Sequence, residues 1–236
     1  MASDSLQLRI MFFPQLSYGH MIPTVDTARL FARNGVKVTI ATTPLNASLF
    51  ANLIQREKVS GSDIDTCIIK FPSAEAGLPQ GCENVSSITS PEMSLKFFKA
   101  LSLLHRPLEE LLEQRRPDCL VADVTFPWAT DIATKFGIPR LVFHGTSCFA
   151  LSVFESLIGV DVGAKEWHRW VDDTKFSVTK EDIERAVTRI MVGKEAEGIR
   201  NRARALKDMA RKAAEGGGSS YSDLNALLEE LRLNCL

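Results

Sequence analysis

The sequence predicts an α/β protein: a parallel sheet with helices on both faces. Three observations carry that prediction. Over the first two-thirds of the chain, short β-rich apolar runs alternate with segments of helical periodicity. The runs are continuously apolar instead of alternating, as expected for strands buried on both faces. A helix-length segment separates each run from the next, and strand–helix–strand succession requires parallel strands joined by crossovers.

The elements follow in order. "LRIMFFP" reads as the first buried strand. "IPTVDTARLFARNG" reads as a helix ended by Gly35, with Ile22, Val25, Ala28, Leu30 and Phe31 as its apolar face. "VKVTIATT" is the second strand, and "NASLFANLIQREKVSG" a helix with Asn46 as N-cap. "DIDTCIIKF" is the third strand. The Gly/Pro/Ser-rich stretch "PSAEAGLPQGCENVSSITS" is too long for a plain connection, which marks it as functional or mobile. "PEMSLKFFKALSLLHRPLEELLEQRR" is a long helix with a kink expected at Pro107. "DCLVAD" and its helix "PWATDIATKFG" come next, followed by the fifth strand "PRLVFHG" and a helix opening at "TSCFALSVFESL".

The last third has helices without strands between them. "IGVDVGAKEWHRWVDDTKF" is irregular; "SVTKEDIERAVTRIMVG" is a helix with Thr179 and Asp182 at capping-box spacing. "EAEGIRNRARALKDMARKAAEGGG" is a charged helix closed by glycines, and "SSYSDLNALLEELRLNCL" is amphipathic, with Leu224, Leu227, Leu228 and Leu231 on one stripe.

Composition narrows the function classes. A net charge of -1 over 236 residues gives no global attraction to nucleic acid or anionic membrane. The basic run from Arg200 to Lys212 is interleaved with acidic residues and reads as a solvated face. No apolar run reaches the roughly 18 residues of a membrane span, and the N-terminus does not read as a signal peptide. Five scattered cysteines, with no CxxC pair and no zinc-like His spacing, point to a reduced, cytoplasmic setting.

Ligands of open parallel sheets bind beyond the carboxyl ends of the strands. Three places there carry polar residues: Ser17, Gly19 and His20 after strand one, Asp123 after strand four, and His144 to Ser147, including Thr146, after strand five. His20 and Asp123 can form a base and its orienting carboxylate. By pattern alone His20 is equally a residue of a helix start, and Asp123 an N-cap for "PWATDIATKFG". His144 and Thr146 either line a cleft or end a strand. "SYGHMIP" is no G-x-G-x-x-G fingerprint, so no dinucleotide site is expected. His105 reads as surface, and Trp167 and Trp170 flanking His168 as packing.

Several of these stretches resemble the plant family 1 UDP-dependent glycosyltransferases. "FFPQLSYGHMIPTVDTARLFARNGVKVTIATTP" is similar to their N-terminal strand–helix–strand; "GLPQGCEN" and "DCLVADVTFPWATDIATKFGIPRLVFHGTSCFAL" are similar to one subgroup, which glucosylates flavonoids, triterpenoids and phenylpropanoids. The tail, "IGVDVGAKEW" through "GGSSYSDLNALLEEL", resembles the same family. The resemblance implies a GT-B fold of two Rossmann-like domains, with residues 1–157 as the acceptor-binding domain and 158–236 as a helical remnant of the donor domain, its last helix packing on the first. It implies His20 as the base that deprotonates the acceptor, Asp123 as its holder, and Gly19 and Thr146 near the sugar donor. It implies UDP-glucose as co-substrate, a small secondary metabolite as acceptor, inversion at the anomeric carbon, and no cofactor or metal.

The resemblance also implies a gap. The family's donor signature has a Trp that stacks on uracil, a His-Cys-Gly-Trp-Asn-Ser segment at the diphosphate and an Asp/Glu-Gln pair at the sugar. None is found here, and a joint falls at Glu155 to Gly159. A typical member is about twice as long. Without donor positioning, an advantage on the order of 7–11 kcal/mol is forfeited. The chain is therefore expected to be a weak or inactive transferase, or else a non-catalytic acceptor-binding remnant. The tail either docks on the first domain or leaves its apolar stripe exposed.

Overall fold

The structure is a computed structural model that describes residues 7–145, 180–192 and 196–233. Five parallel strands form one sheet: β1 (Arg9–Phe13), β2 (Lys37–Thr42), β3 (Ile64–Ile68), β4 (Cys119–Asp123) and β5 (Arg140–Phe143), in the order β3-β2-β1-β4-β5. The continuous apolar runs become strands β1 and β4, whose residues are almost all buried. Crossovers are α1 (Tyr18–Arg33), α2 (Pro44–Val59), the pair α4 (Pro91–Leu103) and α5 (His105–Arg115), and α6 (Ala129–Lys135). The long loop after β3 holds a short helix, α3 (Ser73–Ala76), and one 3₁₀ turn at Val85–Ser87. The register matters for the site: Phe13 pairs with Ala122, and Asp123 pairs with Phe143.

Four expectations need correction. Helix α1 starts at Tyr18, four residues before the expected Ile22, because Ser17 turns extended and its carbonyl accepts from His20 N (3.1 Å) and Met21 N (2.8 Å). Pro23 therefore lies inside the helix and forgoes one backbone bond. Its buried face is Met21, Thr24, Val25, Ala28, Phe31 and Ala32; the expected Ile22 and Leu30 are about half exposed, at 52% and 49%. Helix α2 is capped at Thr43, with Pro44 in its first turn, so Asn46 is not the N-cap. The α4–α5 segment breaks at Leu104, not at Pro107. The cause is still Pro107, whose ring clashes with the carbonyl four residues back, at Leu103. Gly35 ends α1 as expected, in the left-handed region at φ 81°.

The outer face of the α1–α2 layer carries a buried ion cluster. Glu57, only 3% exposed, accepts from Arg33 Nε (2.9 Å), Arg33 Nη2 (2.6 Å) and Arg29 Nε (2.8 Å). The Arg33 hydrogen bond, with help from Arg29 and against the cost of burial, holds the Glu57 carboxyl at about 2, below its ordinary 4.5. A depressed carboxyl contributes stability above its unfolded-state pKa and loses it as pH falls toward the folded value. Glu57→Gln is thus expected to lower the unfolding free energy at neutral pH by about 2 kcal/mol. In urea titrations the gap between wild type and variant should close as pH drops from 4.5 toward about 2.

The described residues divide into two compact units, Met1–Gly145 with Leu228–Leu236, and Thr146–Leu227. In the second unit, α7 (Lys180–Met191) and α8 (Ala196–Ala214) are joined by Arg200 Nη1, which donates to Met191 O at 2.7 Å. Arg200, Arg202, Arg204, Lys207, Arg211 and Lys212 are all exposed, as a solvated face requires. The final helix, α9 (Ser219–Leu233), buries Leu228 and Leu231 of the expected stripe and half-buries Leu224 and Leu227. Within the first unit, Arg232 Nη2 donates to Asn34 O at 3.4 Å. Thr146, the joint at 155–159, the Trp167–His168–Trp170 cluster and Thr179 of the expected capping box lie outside the described residues.

Candidate active site

The strand order reverses between β1 and β4: β2 and β3 lie to one side, β5 to the other. In a parallel α/β sheet this switch point opens a crevice at the carboxyl ends of its two strands. His20 sits in the first turn of α1, just past β1, and Asp123 is the last residue of β4. Residues 103 apart in sequence thereby meet, with His20 Nδ1 2.7 Å from Asp123 Oδ2.

Asp123 is fully buried, and its other oxygen is occupied. Oδ1 accepts from Thr125 N (2.9 Å) and Thr125 Oγ1 (2.8 Å), the two-residue turn typical of Asp-x-Thr. This turn replaces the N-cap role considered for Asp123, since α6 begins only at Ala129. A carboxylate accepts and does not donate, so Nδ1 carries the imidazole proton and Nε2 keeps a lone pair. The His20 side chain is 31% exposed, which leaves the ring open to solvent on part of its surface. The arrangement can take a proton at Nε2 while the buried charge of Asp123 stabilises the resulting cation.

Arg140 braces the turn from β5. Its Nη2 donates to Asp123 O (3.0 Å) and its Nη1 to Pro127 O (3.2 Å) and Thr130 Oγ1. Burial lowers the Arg140 pKa, and the Asp123 charge opposes that shift. Beneath the turn, Phe126 packs on Phe13 at 4.6 Å between ring centroids and on Trp128 at 5.3 Å.

The other expected residues spread around this pair. Ser17 is the N-cap of α1 by backbone only, and its hydroxyl donates to Gln15 Oε1. Gly19 lies in the first turn with open space where a Cβ would stand. His144 is exposed, immediately after β5. His105 is exposed, with Nδ1 2.9 Å from Ser102 O. Among the described residues, no group of three or more His, Cys, Asp or Glu side chains is placed to hold a metal ion.

The loop after β3 is fastened to the same edge of the sheet. Val85 N donates to Leu16 O at 2.9 Å, beside Ser17. Buried Asn46 donates to Glu83 O (2.8 Å) and Thr43 Oγ1 (2.8 Å) and accepts from Asn84 Nδ2 (2.9 Å). The residue expected to cap α2 instead ties "CEN" to the end of β2.

No protein-family profile matches the chain. Among curated proteins, it is 54% identical over 151 residues to the scopoletin glucosyltransferase of Nicotiana tabacum, covering 64% of this chain and 32% of that protein. Over these residues the chain is similar to the plant UDP-dependent glycosyltransferases. The anthocyanin 3'-O-beta-glucosyltransferase of Gentiana triflora is 52% identical over 151 residues, covering 64% and 31%. The crystal structure of UGT73P12 of Glycyrrhiza uralensis, complexed with glycyrrhetinic acid 3-O-monoglucuronide, superposes with a TM-score of 0.60 at 39% identity, covering 70% of this chain and 34% of that one. The parallel sheet with flanking helices is the α/β architecture of these GT-B glycosyltransferases. The chain spans about a third of the length of the curated glycosyltransferases it matches.

Thr125 and Arg140 escaped the sequence reading, and Gly145 entered it only as part of the stretch His144 to Ser147. Thr125 had a signal, the Asp-x-Thr spacing. Gly145 stands between the expected His144 and Thr146. Arg140 has none, because its partners lie in other elements.

Proposed function

We propose that this chain carries the acceptor-activating half of an inverting O-glucosyltransferase acting on a small plant phenolic or terpenoid. The observation that carries this reading is the 2.7 Å contact between His20 and buried Asp123 at the switch point of the sheet. His20 Nε2 takes the proton of the acceptor hydroxyl as its oxygen attacks the anomeric carbon of UDP-glucose. The sugar–phosphate bond breaks, UDP leaves with the electron pair, and Asp123 balances the imidazolium. UDP is already a good leaving group, so base, orientation and diphosphate charge stabilisation are the main contributions needed from protein. No cofactor beyond the sugar donor enters this scheme.

Ser17, Gly19, His144 and Thr146 belong to the substrate side of the same proposal. The fastened loop at residues 82–88 is the element that shapes the acceptor pocket, since pockets of this kind are built from loops held on a rigid scaffold. The named activities of the tobacco and gentian relatives, on scopoletin and on an anthocyanin, support a phenolic acceptor. Among the described residues, Cys67 and Cys82 are in no disulfide, which supports a cytoplasmic setting. Among the described residues, no helix is long and apolar enough to cross a membrane.

The donor signature is not found in these 236 residues, so this polypeptide by itself belongs to the acceptor-binding class and turns over little or no sugar. Isothermal titration is expected to show binding of a flavonol or scopoletin and no heat with UDP. Incubation with UDP-glucose and the same acceptors should give no glucoside. Glucoside formation that His20→Ala abolishes would make the chain a complete enzyme and overturn the second half of this reading.

A further inference from the structure

We propose that Gly145 is a positioning residue for His20: with no side chain, it lets the backbone after β5 lie against the imidazole and keep Nδ1 on Asp123. A Cβ built on Gly145 would stand 2.7 Å from His20 Nδ1, 2.9 Å from Cγ and 3.2 Å from Cε1. Non-bonded carbon atoms settle at about 3.5–4.0 Å, so even a methyl group overlaps the ring along one whole side. The atom crowded most is Nδ1, the same nitrogen that meets the Asp123 carboxylate 2.7 Å away. That carboxylate is itself pinned by two bonds from Thr125, so the ring cannot give way to a Cβ without disturbing its contact with Asp123.

The usual reason for glycine does not apply at this position. Gly35, Gly61, Gly77, Gly81, Gly137 and Gly217 all take positive φ, where a side chain strains the backbone; Gly145 does not. Gly19, on the opposite side of His20 in sequence terms, has open space around it. At Gly145 the φ angle does not call for glycine, and the volume of a Cβ is what the site refuses. β5 pairs with β4 so that Phe143 lies opposite Asp123, which brings the segment two residues on to the level of the imidazole. The catalytic meaning of this contact rests on the reading of His20 as the base; the contact itself does not.

The test uses the full chain labelled with ¹⁵N and two readouts that need no sugar transfer. At mildly alkaline pH, long-range proton–nitrogen spectra of the histidine rings report which nitrogen holds the proton, with His20 assigned by its loss in His20→Ala. Wild type is expected to show His20 as the Nδ1–H tautomer, and Gly145→Ala to shift it predominantly to Nε2–H as the bond to Asp123 is lost. An unchanged tautomer in Gly145→Ala overturns the proposal. In thermal unfolding, Gly145→Ala should lower the midpoint in the wild-type background and have no such effect in His20→Ala, where the vacated space accepts the methyl group. Equal losses in both backgrounds would show that the glycine serves only the backbone, and would overturn the proposal. Failure of the chain to bind acceptor would count against the functional reading and leave both of these outcomes intact.

Discussion

Replacing the matching N-terminal segment of the tobacco scopoletin glucosyltransferase with residues 7–145 of this chain is expected to give an active chimera, and His20→Ala in that chimera to lower kcat by about 10²- to 10⁴-fold. The swap supplies the donor half that these 236 residues do not show, across a region 54% identical to the one removed. The size of the loss follows from the role proposed for the imidazole, which is to make the acceptor oxygen nucleophilic at the moment of attack; water or buffer must replace it in the variant. The acceptor KM should change little, because the interaction is made with the departing proton in the transition state. Asp123→Asn should also lower kcat, since an amide can turn its NH₂ to Nδ1 and favour the wrong tautomer. Steady-state kinetics with scopoletin at saturating UDP-glucose measures both. A chimera whose kcat survives His20→Ala would remove the base from the mechanism.

The second large effect is on stability. Phe126→Ala is expected to destabilise the first unit by about 3–5 kcal/mol, the usual cost of emptying a buried aromatic site. At roughly 2–4 °C per kcal/mol for a domain of this size, the midpoint of thermal unfolding should fall by about 6–20 °C. Phe126 is 1% exposed and lies against Phe13 and Trp128 under the turn that follows Asp123. Its backbone N–H also donates to Asp123 O at 3.1 Å. The cavity thus opens directly beneath the carboxylate that orients His20. Calorimetry reads the stability loss, and a shift in the His20 ring signals would report the loosened turn. A loss under 1 kcal/mol would mean that the aromatic cluster collapses to fill the gap.

Strands β1 and β4 were legible because burial on both faces leaves a continuous apolar signature; β3 and β5 are mostly not buried, against that expectation. The site residues were legible as candidates for a related reason. Polar side chains at the carboxyl ends of such strands have no place in the core, so they mark the edge where ligands bind. Their roles were less legible. Asn46 looked like a cap because it is a short polar residue near a helix start, yet it lies buried three residues past the cap and holds Glu83 and Asn84. Ile22 and Leu30 looked like core because they are apolar near the helical period, yet helical rotation sets both off the face formed by Met21, Thr24, Val25, Ala28, Phe31 and Ala32. Pro107 was noticed, but its effect appears earlier in the chain: its ring meets the carbonyl of Leu103, and the helix breaks at Leu104.

The sequence by itself determined a parallel α/β architecture, the polar residues at its strand ends and, through resemblance, a family. Only the tertiary structure decided which of those residues meet. His20 and Asp123 touch because β4 inserts beside β1 while β2 and β3 fill the other side. Arg140 and Gly145 join them because β5 then pairs with β4, whereas Thr125 reaches Asp123 locally, through the turn two residues on. Strand order of this kind is set by pairing energies shared across the whole sheet and by crossovers tens of residues long, so no local pattern in the chain encodes it.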